Sequence, residues 1–323
     1  MVGGDEGRSD ASLRRRPHVL VVGSLNIDHT VVVDELPRPG ETVTARRSYR
    51  MPGGKGANES VAAARVGADV VFVAAVGDDE QGRSALRSLA ELGVDTSWAV
   101  ERSGALTGTA SITVDASGEN TIVVDAGANA TLAPDALRPE QFEGAAALLL
   151  TLEVPDPVMV AAMREAKAHS VPVIFNPSPL RAHDRELVLG TDILVVNEDE
   201  FRALASPDGA DDTALRRAAE ALGVPVVVVT CGSRGVIVVD RTAGAEVAPV
   251  PSIAVTALDT TGCGDAFTGA LAARLAAGDE LSAAVGFATS YAALVATRRG
   301  AQASYPDLPT YETWIGSVGS IRA

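Results

Sequence analysis

The chain alternates short apolar runs with longer stretches rich in alanine and polar residues. The runs HVLVVG, VVFVAAVG, AALLLTLE, VPVIFNP, DILVVNE and VPVVVVTCG begin at residues 18, 70, 146, 171, 192 and 224. Nearly continuous apolar runs of this length, separated by helical patterns, are typical of parallel strands buried on both faces. The pattern therefore predicts an α/β fold with a doubly wound, mostly parallel sheet and helices on both faces.

Two segments depart from this alternation. Residues 28–50 and 107–127 show strand-like alternation with no helix between the strands, and DASGEN in the second is a glycine-containing hairpin signal. We expect a small β-sheet lid over the carboxyl edge of the main sheet, formed by segments at about 26–50 and 107–127. The alternative is a set of edge hairpins that only extends the core. The predicted α/β domain covers 18–310, between a disordered tail at 1–17 and a C-terminal tail at 311–323.

Composition narrows the class of partner. The 323 residues are 46% hydrophobic and carry a formal net charge of −15, which disfavours nucleic acid or an anionic membrane as partner because both need concentrated Lys and Arg. There is no apolar run near the ~20 residues of a membrane helix, and the N-terminal stretch has no apolar core like that of a signal peptide. The two cysteines, Cys231 and Cys263, match neither a disulfide framework nor a zinc site. We expect a cytoplasmic protein.

The stretch TTGCGDAFTGALAARL, residues 260–275, is a candidate anion site. Gly262 and Gly264 allow several backbone N–H groups to converge, and a helix starting there would add its positive end. Asp265 would lie in the first turn beside a bound phosphate. It is either a helix cap or a general base that takes a proton from an attacking alcohol, and this stretch alone does not decide between them.

Two further motifs supply groups for an alcohol acceptor. In MPGGKGANES, glycines let a ligand approach the backbone while Lys55 and Asn58 can donate to its oxygens; a structural turn is the alternative. In VGSLNIDHT, Asn26 and Asp28 are two apart, so both side chains face the same way on a strand and form a clamp for vicinal hydroxyls. Otherwise they are turn formers.

Together these motifs resemble the ribokinase subgroup of the PfkB carbohydrate kinase family. The resemblance runs from about Val19 to Ser304 and includes both family signatures, in GGKGANESVAAARVGA and DTTGCGDAFTGAL. It implies a ribokinase-like fold with a β-sheet lid that pairs two subunits into a homodimer. It also implies transfer of the ATP γ-phosphate to the 5-hydroxyl of D-ribose. Within the same family, the alternative acceptors are deoxyribose, a nucleoside or a ketohexose. The alternative from another functional class is a sugar or nucleotide sensor that catalyses no reaction.

The resemblance also assigns roles by position, with Asp265 as catalytic base and the backbone of Gly262, Cys263 and Gly264 as anion hole. The implied sugar contacts are Asn26, Asp28, Gly54, Lys55, Asn58, Glu153 and Asp265. The implied nucleotide and Mg2+ positions are Asn197, Glu200, Thr230, Gly232, Ser233, Gly235 and Gly264. The implied K+ site comprises Asp259, Thr261, Val295, Arg298, Gly300 and Ser304.

Two residues depart from the family pattern. Glu59 stands where ribokinases usually have glutamine, and Cys263 stands where alanine is common. Neither departure removes a catalytic group. A nucleophilic role for Cys263 would need an activating base, and no histidine lies in a motif suited to that task.

Overall fold

The computed structural model describes residues 17–181, 185–206, 209, 212–242 and 246–321. No helix within these residues is long and apolar enough to cross a membrane. The strands are β1 His18–Val22, β2 Asn26–Val32, β3 Arg47–Gly53, β4 Asp69–Val73, β5 Ala75–Gly77, β6 Val94–Asp95, β7 Val100–Arg102, β8 Gly108–Val114, β9 Asn120–Asp125, β10 Ala145–Thr151, β11 Val173–Asn176, β12 Ile193–Asn197, β13 Val226–Thr230, β14 Val236–Asp240 and β15 Glu246–Val250. The α-helices are α1 Lys55–Arg65, α2 Glu80–Glu91, α3 Pro139–Phe142, α4 Asp156–Ala168, α5 Arg185–Val188, α6 Glu198–Ala205, α7 Asp212–Leu222, α8 Cys263–Ala276, α9 Leu281–Val295 and α10 Leu308–Ile321.

The main sheet confirms the predicted α/β class. In the described part of the chain it has nine strands in the order β15-β14-β13-β12-β11-β10-β1-β4-β6. The seven strands β13, β12, β11, β10, β1, β4 and β6 run parallel to one another, whereas β14 is antiparallel to β13 and β15 is antiparallel to β14. The apolar runs are buried because helices cover both faces of this sheet. The carboxyl ends of the parallel strands therefore meet along one edge, where open α/β sheets bind ligands.

Alternate residues of the central strand β1 belong to two separate cores. Val19 and Val21 pack with α1, α8 and α9, while Leu20 and Val22 pack with α4, α6 and α7. Helix α8 is apolar on nearly all sides, and nine of its fourteen residues are buried. It is therefore an internal helix, which fixes its N-terminus, and so Asp265, against the rest of the protein.

A second, four-stranded sheet has the order β3-β2-β8-β9. Its strands lie in the two segments predicted for the lid, and β8 and β9 form an antiparallel hairpin closed through residues 115–119. The sheet is separate from the main sheet, so the alternative of hairpins extending the core is wrong. We call it the lid sheet.

The predicted C-terminal tail at 311–323 is wrong for the residues described there. Helix α10 runs to Ile321, and its Tyr311 is 6% exposed, with its ring centroid 4.4 Å from that of Phe287 in α9. The Tyr311 hydroxyl also lies 2.6 Å from Ser290 Oγ. These tertiary contacts hold the helix on the core. Of the predicted N-terminal tail, residues 1–16 lie outside the described residues.

Candidate active site

Asp265 is the centre of the site and does not cap its own helix. The N-cap of α8 is Gly262, whose φ of 73° is left-handed, and Asp265 lies in the first helical turn. Its side chain instead accepts a hydrogen bond from Asn58 Nδ2 at 2.8 Å, while Lys55 Nζ lies 3.5 Å from its other oxygen. The residue is 7% exposed. The helix-cap alternative is therefore wrong, and Asp265 is held by two residues from the GGKGAN motif.

Lys55 lies among carboxylates. The charge of Asp265 raises the pKa of Lys55 above its ordinary value, burial works in the opposite direction, and Glu153 adds to the rise. Glu153 Oε2 accepts hydrogen bonds from the Lys55 backbone N–H, at 3.1 Å, and from the Ser24 hydroxyl. Lys55 therefore stays charged at neutral pH and favours the ionised form of Asp265.

Asn26 and Asp28 lie on β2, at the base of the lid sheet, so their alternative role as turn formers is wrong. Asp28 lies over Gly53, where an added Cβ would be 2.2 Å from the carboxylate. Burial, followed by the charges of Glu153 and Asp265, raises the pKa of Asp28 to about 6. Asn26 is 3% exposed and accepts a hydrogen bond from Asn129 Nδ2 at 2.8 Å. The predicted clamp and the predicted base therefore belong to one cluster.

The backbone between the lid sheet and α1 is tightly packed. Gly54 has φ 89° and is the N-cap of α1, and a Cβ there would lie 2.7 Å from Asn26 N. A side chain at this position would be strained and would displace β2. Gly54 thus lets the Asn26 segment and the Lys55 segment approach each other.

A cavity of about 400 Å³ begins at the start of α8. Its walls include Thr230, Gly232, Ser233 and Gly235, all predicted nucleotide positions, together with Cys263 and Gly264. Gly232 and Gly235 have φ of 56° and 98°, and Cys231 N donates to Gly235 O at 2.8 Å, which makes a tight turn after β13. The structure therefore joins the predicted nucleotide loop and the predicted anion hole in one cavity.

Asn197 and Glu200 lie at the carboxyl end of β12 and the start of α6. Asn197 Oδ1 accepts from Glu200 N, and Glu200 Oε2 accepts from Asn197 N, both at 2.9 Å. This reciprocal cap fixes both side chains at the edge where Thr230 ends the neighbouring strand.

The predicted cation-site residues lie in two segments, 259–261 and 295–304, and Asp259 joins the two. Its two carboxylate oxygens accept from Thr261 N at 3.0 Å and from Gly300 N at 2.9 Å. Burial raises the pKa of Asp259, but the bonds from Gly300 and Thr261 outweigh it, so the pKa lies below its ordinary value. Val295 O accepts from Arg298 N, and Ser304 is fully buried. Within the described residues, no three or more His, Cys, Asp or Glu side chains are grouped so as to hold a metal ion.

The two residues that depart from the family pattern, Glu59 and Cys263, both lie close enough to Asp265 to be affected by its charge. Burial, then the charges of Asp259 and Asp265, raises the pKa of Cys263 to about 12, so its thiol stays protonated and is a poor nucleophile. Glu59 is fully buried, and neither of its carboxyl oxygens has a hydrogen-bond partner among the described residues. Burial, then Asp265, raises the pKa of Glu59 well above its ordinary value, with Lys55 opposing.

Sequence reasoning missed four residues that support these groups. Asn129 bridges the backbone of Leu25 and the side chain of Asn26. Gln302 Nε2 donates to Asn58 Oδ1 at 3.0 Å, and Tyr305 Oη donates to Gly262 O at 2.9 Å. The Ser24 hydroxyl donates to Glu153. Gln302 and Tyr305 stand in TRRGAQASYP, the stretch predicted to hold a cation, so their position was a usable signal. Asn129 gave none, because its partners are more than one hundred residues away.

Comparison with known proteins identifies the family. The model described as "pfkB family carbohydrate kinase" matches residues 16–308. The chain belongs to the pfkB family of carbohydrate kinases. A ribokinase from Haemophilus influenzae is 36% identical over 296 residues, covering 90% of this chain and 96% of the relative. A deoxyribokinase from Salmonella typhi is 31% identical over 303 residues, covering 92% and 98%. The structure of Arabidopsis thaliana ribokinase complexed with ribose and ATP matches with a TM-score of 0.85 and 30% identity, covering 92% and 98%.

Membership of the pfkB family confirms the predicted family, fold and enzyme class: the chain is a sugar kinase. The roles of individual residues stay predictions. What the structure adds is their proximity: Asp28, Lys55, Asn58, Glu153 and Asp265 form one cluster next to the cavity.

Proposed function

We propose that this protein is an ATP-dependent ribokinase, which transfers the γ-phosphate to the 5-hydroxyl of D-ribose. The observation that carries the proposal is the placement of a buried carboxylate, Asp265, in the first turn of α8 between a polar acceptor cluster and a 400 Å³ cavity. A sensor needs no buried base at the junction of two sites. Phosphoryl transfer does, because the base must reach the alcohol while its phosphorus target is held in line.

In this proposal Asp265 accepts the proton of the sugar hydroxyl as that oxygen attacks the γ-phosphorus. Asn58 holds one carboxylate oxygen and Lys55 lies by the other, so the base is oriented and ionised. The backbone N–H groups of Gly262, Cys263 and Gly264, at the positive end of α8, stabilise the charge that develops on the phosphoryl oxygens. Asn26, Asp28, Gly54 and Glu153 hold the sugar.

The oxygen donors present fit the two cations that the family implies. Asn197 and Glu200 offer amide and carboxylate oxygens of the kind that Mg2+ binds. Two segments joined by Asp259 offer side-chain or backbone oxygens for the second cation, from Asp259, Thr261, Val295, Arg298, Gly300 and Ser304. Mg2+, when bound, neutralises charge on the transferred phosphoryl group. We propose that a K+ at the second position fixes the backbone of the anion hole through Asp259 and Thr261.

Deoxyribose is the second candidate acceptor, because a deoxyribokinase is also a relative at 31% identity. Asp28 and Asn26 distinguish the two sugars if either binds the 2-hydroxyl. A site whose buried polar groups hydrogen-bond a hydroxyl rejects the analogue that lacks it by factors of 10⁴–10⁵, whereas a site without such a contact barely discriminates. We favour ribose because Asp28 is a carboxylate on the acceptor side of the cluster.

We further propose that two copies pair through the lid sheet, and that the enzyme works in the cytoplasm, where its free cysteines stay reduced. Every residue of β9 is exposed, including Ile122, Val123 and Val124 at 54%, 72% and 53%. An exposed apolar edge strand is an interaction surface.

The experiment is a coupled ADP-release assay over pentoses, hexoses and nucleosides, with and without K+. We expect D-ribose to give the highest kcat/KM and K+ to raise the rate. Asp265→Asn should lower kcat by about 10²–10⁴-fold, the usual contribution of a general base, while ADP binding by calorimetry is retained. Near-normal turnover in that variant would refute the role of Asp265, and absence of sugar-dependent turnover across the panel would refute the kinase proposal.

A further inference from the structure

A short segment after α9 contacts both α1 and the turn that begins α8. Tyr305 Oη donates to Gly262 O at 2.9 Å, and Arg65 Nε at the end of α1 donates to Tyr305 O at 3.2 Å. Gln302 lies three residues earlier and is 8% exposed, and its Nε2 donates to Asn58 Oδ1 at 3.0 Å. Gln302 therefore reaches from this segment to the amide that holds the proposed base.

The direction of each hydrogen bond in this chain follows from Asp265. An ionised carboxylate can only accept, so the Asn58 amide must present Nδ2 to Asp265, at 2.8 Å. Asn58 Oδ1 then needs a donor of its own, which Gln302 supplies through Nε2. The two ends of an amide group have nearly the same size and shape, so packing alone does not select this orientation. Gln302 and Asp265 together hold the Asn58 amide in one of its two orientations.

Loss of the Gln302 donor would release this amide. Asn58 is 6% exposed, so its Oδ1 would be left buried without a partner, which costs more than an ordinary hydrogen bond. The amide could then rotate towards another donor, and rotation moves Nδ2 away from Asp265. The second N–H of Nδ2 has no partner among the described residues and is available to an oxygen of the acceptor sugar. Rotation would therefore disturb the base and the sugar together.

We infer that Gln302 is a positioning residue for phosphoryl transfer: by donating to Asn58 Oδ1, it keeps the Asn58 amide donating to Asp265. This inference rests on the proposed function, in which Asp265 is the base. Gln302→Met keeps the length of the side chain and has no N–H to donate. We expect kcat to fall by about 10–100-fold, because a buried acceptor loses its donor. ADP binding, measured by calorimetry, should stay within about twofold of the wild type.

Gln302→Glu separates hydrogen-bond donation from packing. The new carboxyl group can donate to Asn58 Oδ1 only when it is protonated, and burial raises its pKa towards neutrality. The kcat of this variant relative to the wild type should rise by about tenfold as pH falls from about 9 to about 6. Lys55, Glu59 and Asp265 titrate in both proteins, so the ratio removes their common contribution. A defect of packing alone would give a ratio that does not depend on pH.

A double-mutant cycle tests whether Gln302 acts through Asn58. Asn58→Ala removes the amide, so adding Gln302→Met to it should lower kcat by less than about threefold, instead of about 10–100-fold. The loss caused by Gln302→Met alone should also be the same without K+ and at saturating K+. A loss that K+ repairs would place the effect in the predicted cation site, which includes Gly300 and Ser304 on either side of Gln302, and would overturn the inference.

Gln141→Met is the matched control. Gln141 is also a buried glutamine, and its amide donates to Ala136 O at 3.1 Å and accepts from Arg138 N at 2.9 Å. The control should lower the melting temperature and keep the wild-type kcat. All rates are measured with D-ribose, or with deoxyribose if that sugar is the better acceptor.

Three further results would overturn the inference: wild-type kcat in Gln302→Met, a Gln302→Glu ratio that is constant with pH, or full additivity of Gln302→Met with Asn58→Ala. Failure of the proposed function gives a different result. Near-normal turnover of Asp265→Asn would refute the proposed base, whereas an impaired Asp265→Asn beside a normal Gln302→Met would overturn the role of Gln302 alone.

Discussion

Glu59 carries an unusual combination of properties at the scale of single residues. Its side chain is fully buried and unpaired among the described residues, next to the Asn58 that holds Asp265. Burial raises the pKa of Glu59 well above its ordinary value, the charges of Asp265 and Glu153 raise it further, and Lys55 lowers it. An unpaired buried carboxyl group adopts its neutral form because ionisation without a partner is costly. Glu59 thus fills space behind the base without adding a second negative charge.

Glu59→Gln should stabilise the protein increasingly as pH rises. In the unfolded chain Glu59 loses its proton above the ordinary pKa of a glutamate, whereas in the folded protein it keeps the proton up to a higher pH. The free energy of unfolding of the wild type therefore falls with rising pH between the unfolded-state pKa and the folded-state pKa of Glu59. The variant lacks this proton. The difference in free energy between the two should grow by at most about 1.4 kcal/mol per pH unit, measured by urea unfolding at pH 5, 6, 7 and 8.

Glu91→Gln, on an exposed helix residue, is the matched control and should follow the wild type at every pH. A Glu59→Gln variant whose stability difference from the wild type stays constant over this range would contradict the neutral form of Glu59.

The turn that begins α8 illustrates how an element depends on a single glycine. Gly262 has φ 73°, and a Cβ there would lie 2.6 Å from Tyr305 Oη and 2.8 Å from Ala301 Cβ. A side chain would be strained by the backbone and would also push Tyr305 away from Gly262 O, to which it donates. Since the anion hole is built from this backbone, small shifts in the turn change where its N–H groups point.

Gly262→Ala should therefore lower kcat by about 10²–10³-fold, the usual effect of losing one such donor, while calorimetric binding of the sugar is retained. Gly286→Ala in α9 is the matched control, because nothing lies within 4 Å of its added Cβ and its φ is not left-handed. It should keep full activity and gain up to about 1 kcal/mol of stability. Equal kcat in the two variants would show that the turn tolerates a side chain.

Elements set by local pattern could be predicted from sequence, and those set by distant contacts could not. Six strands of the main sheet, β1, β4, β10, β11, β12 and β13, followed from apolar runs, and the β8–β9 hairpin followed from its glycine turn. Helix α10 was missed because glycines at 316 and 319 lower its helix propensity, and the contacts of Tyr311 with α9 compensate. Asp265 was ambiguous for the same reason: Asn58, whose bond excludes a capping role, lies 207 residues away.

At the scale of the whole molecule, the register of the lid sheet gives it an apolar face. Thr30 is paired with Tyr49 and Ile112, and Ile112 with Ile122, so these side chains lie on the face that carries Asp28. Tyr49 and Ile122 are 42% and 54% exposed. A second copy on this face would bury them and would cover the acceptor cluster at the same time, which would couple pairing of subunits to exclusion of water from the sugar.

Ile122→Asn should convert the proposed dimer to a monomer. A twofold interface contains the residue twice, so losing a buried isoleucine from each copy costs about 3–6 kcal/mol and weakens the dimer at least about 100-fold. Because each chain carries a net charge of −15, the copies repel one another, and the wild-type dimer should tighten as salt rises from low to moderate concentration. Sedimentation velocity measures both effects.

Val160→Asn, which changes an equally exposed valine on α4, is the matched control and should leave the wild-type assembly unchanged. A wild type that sediments as a monomer, or an Ile122→Asn variant that stays a dimer, would refute pairing through this face.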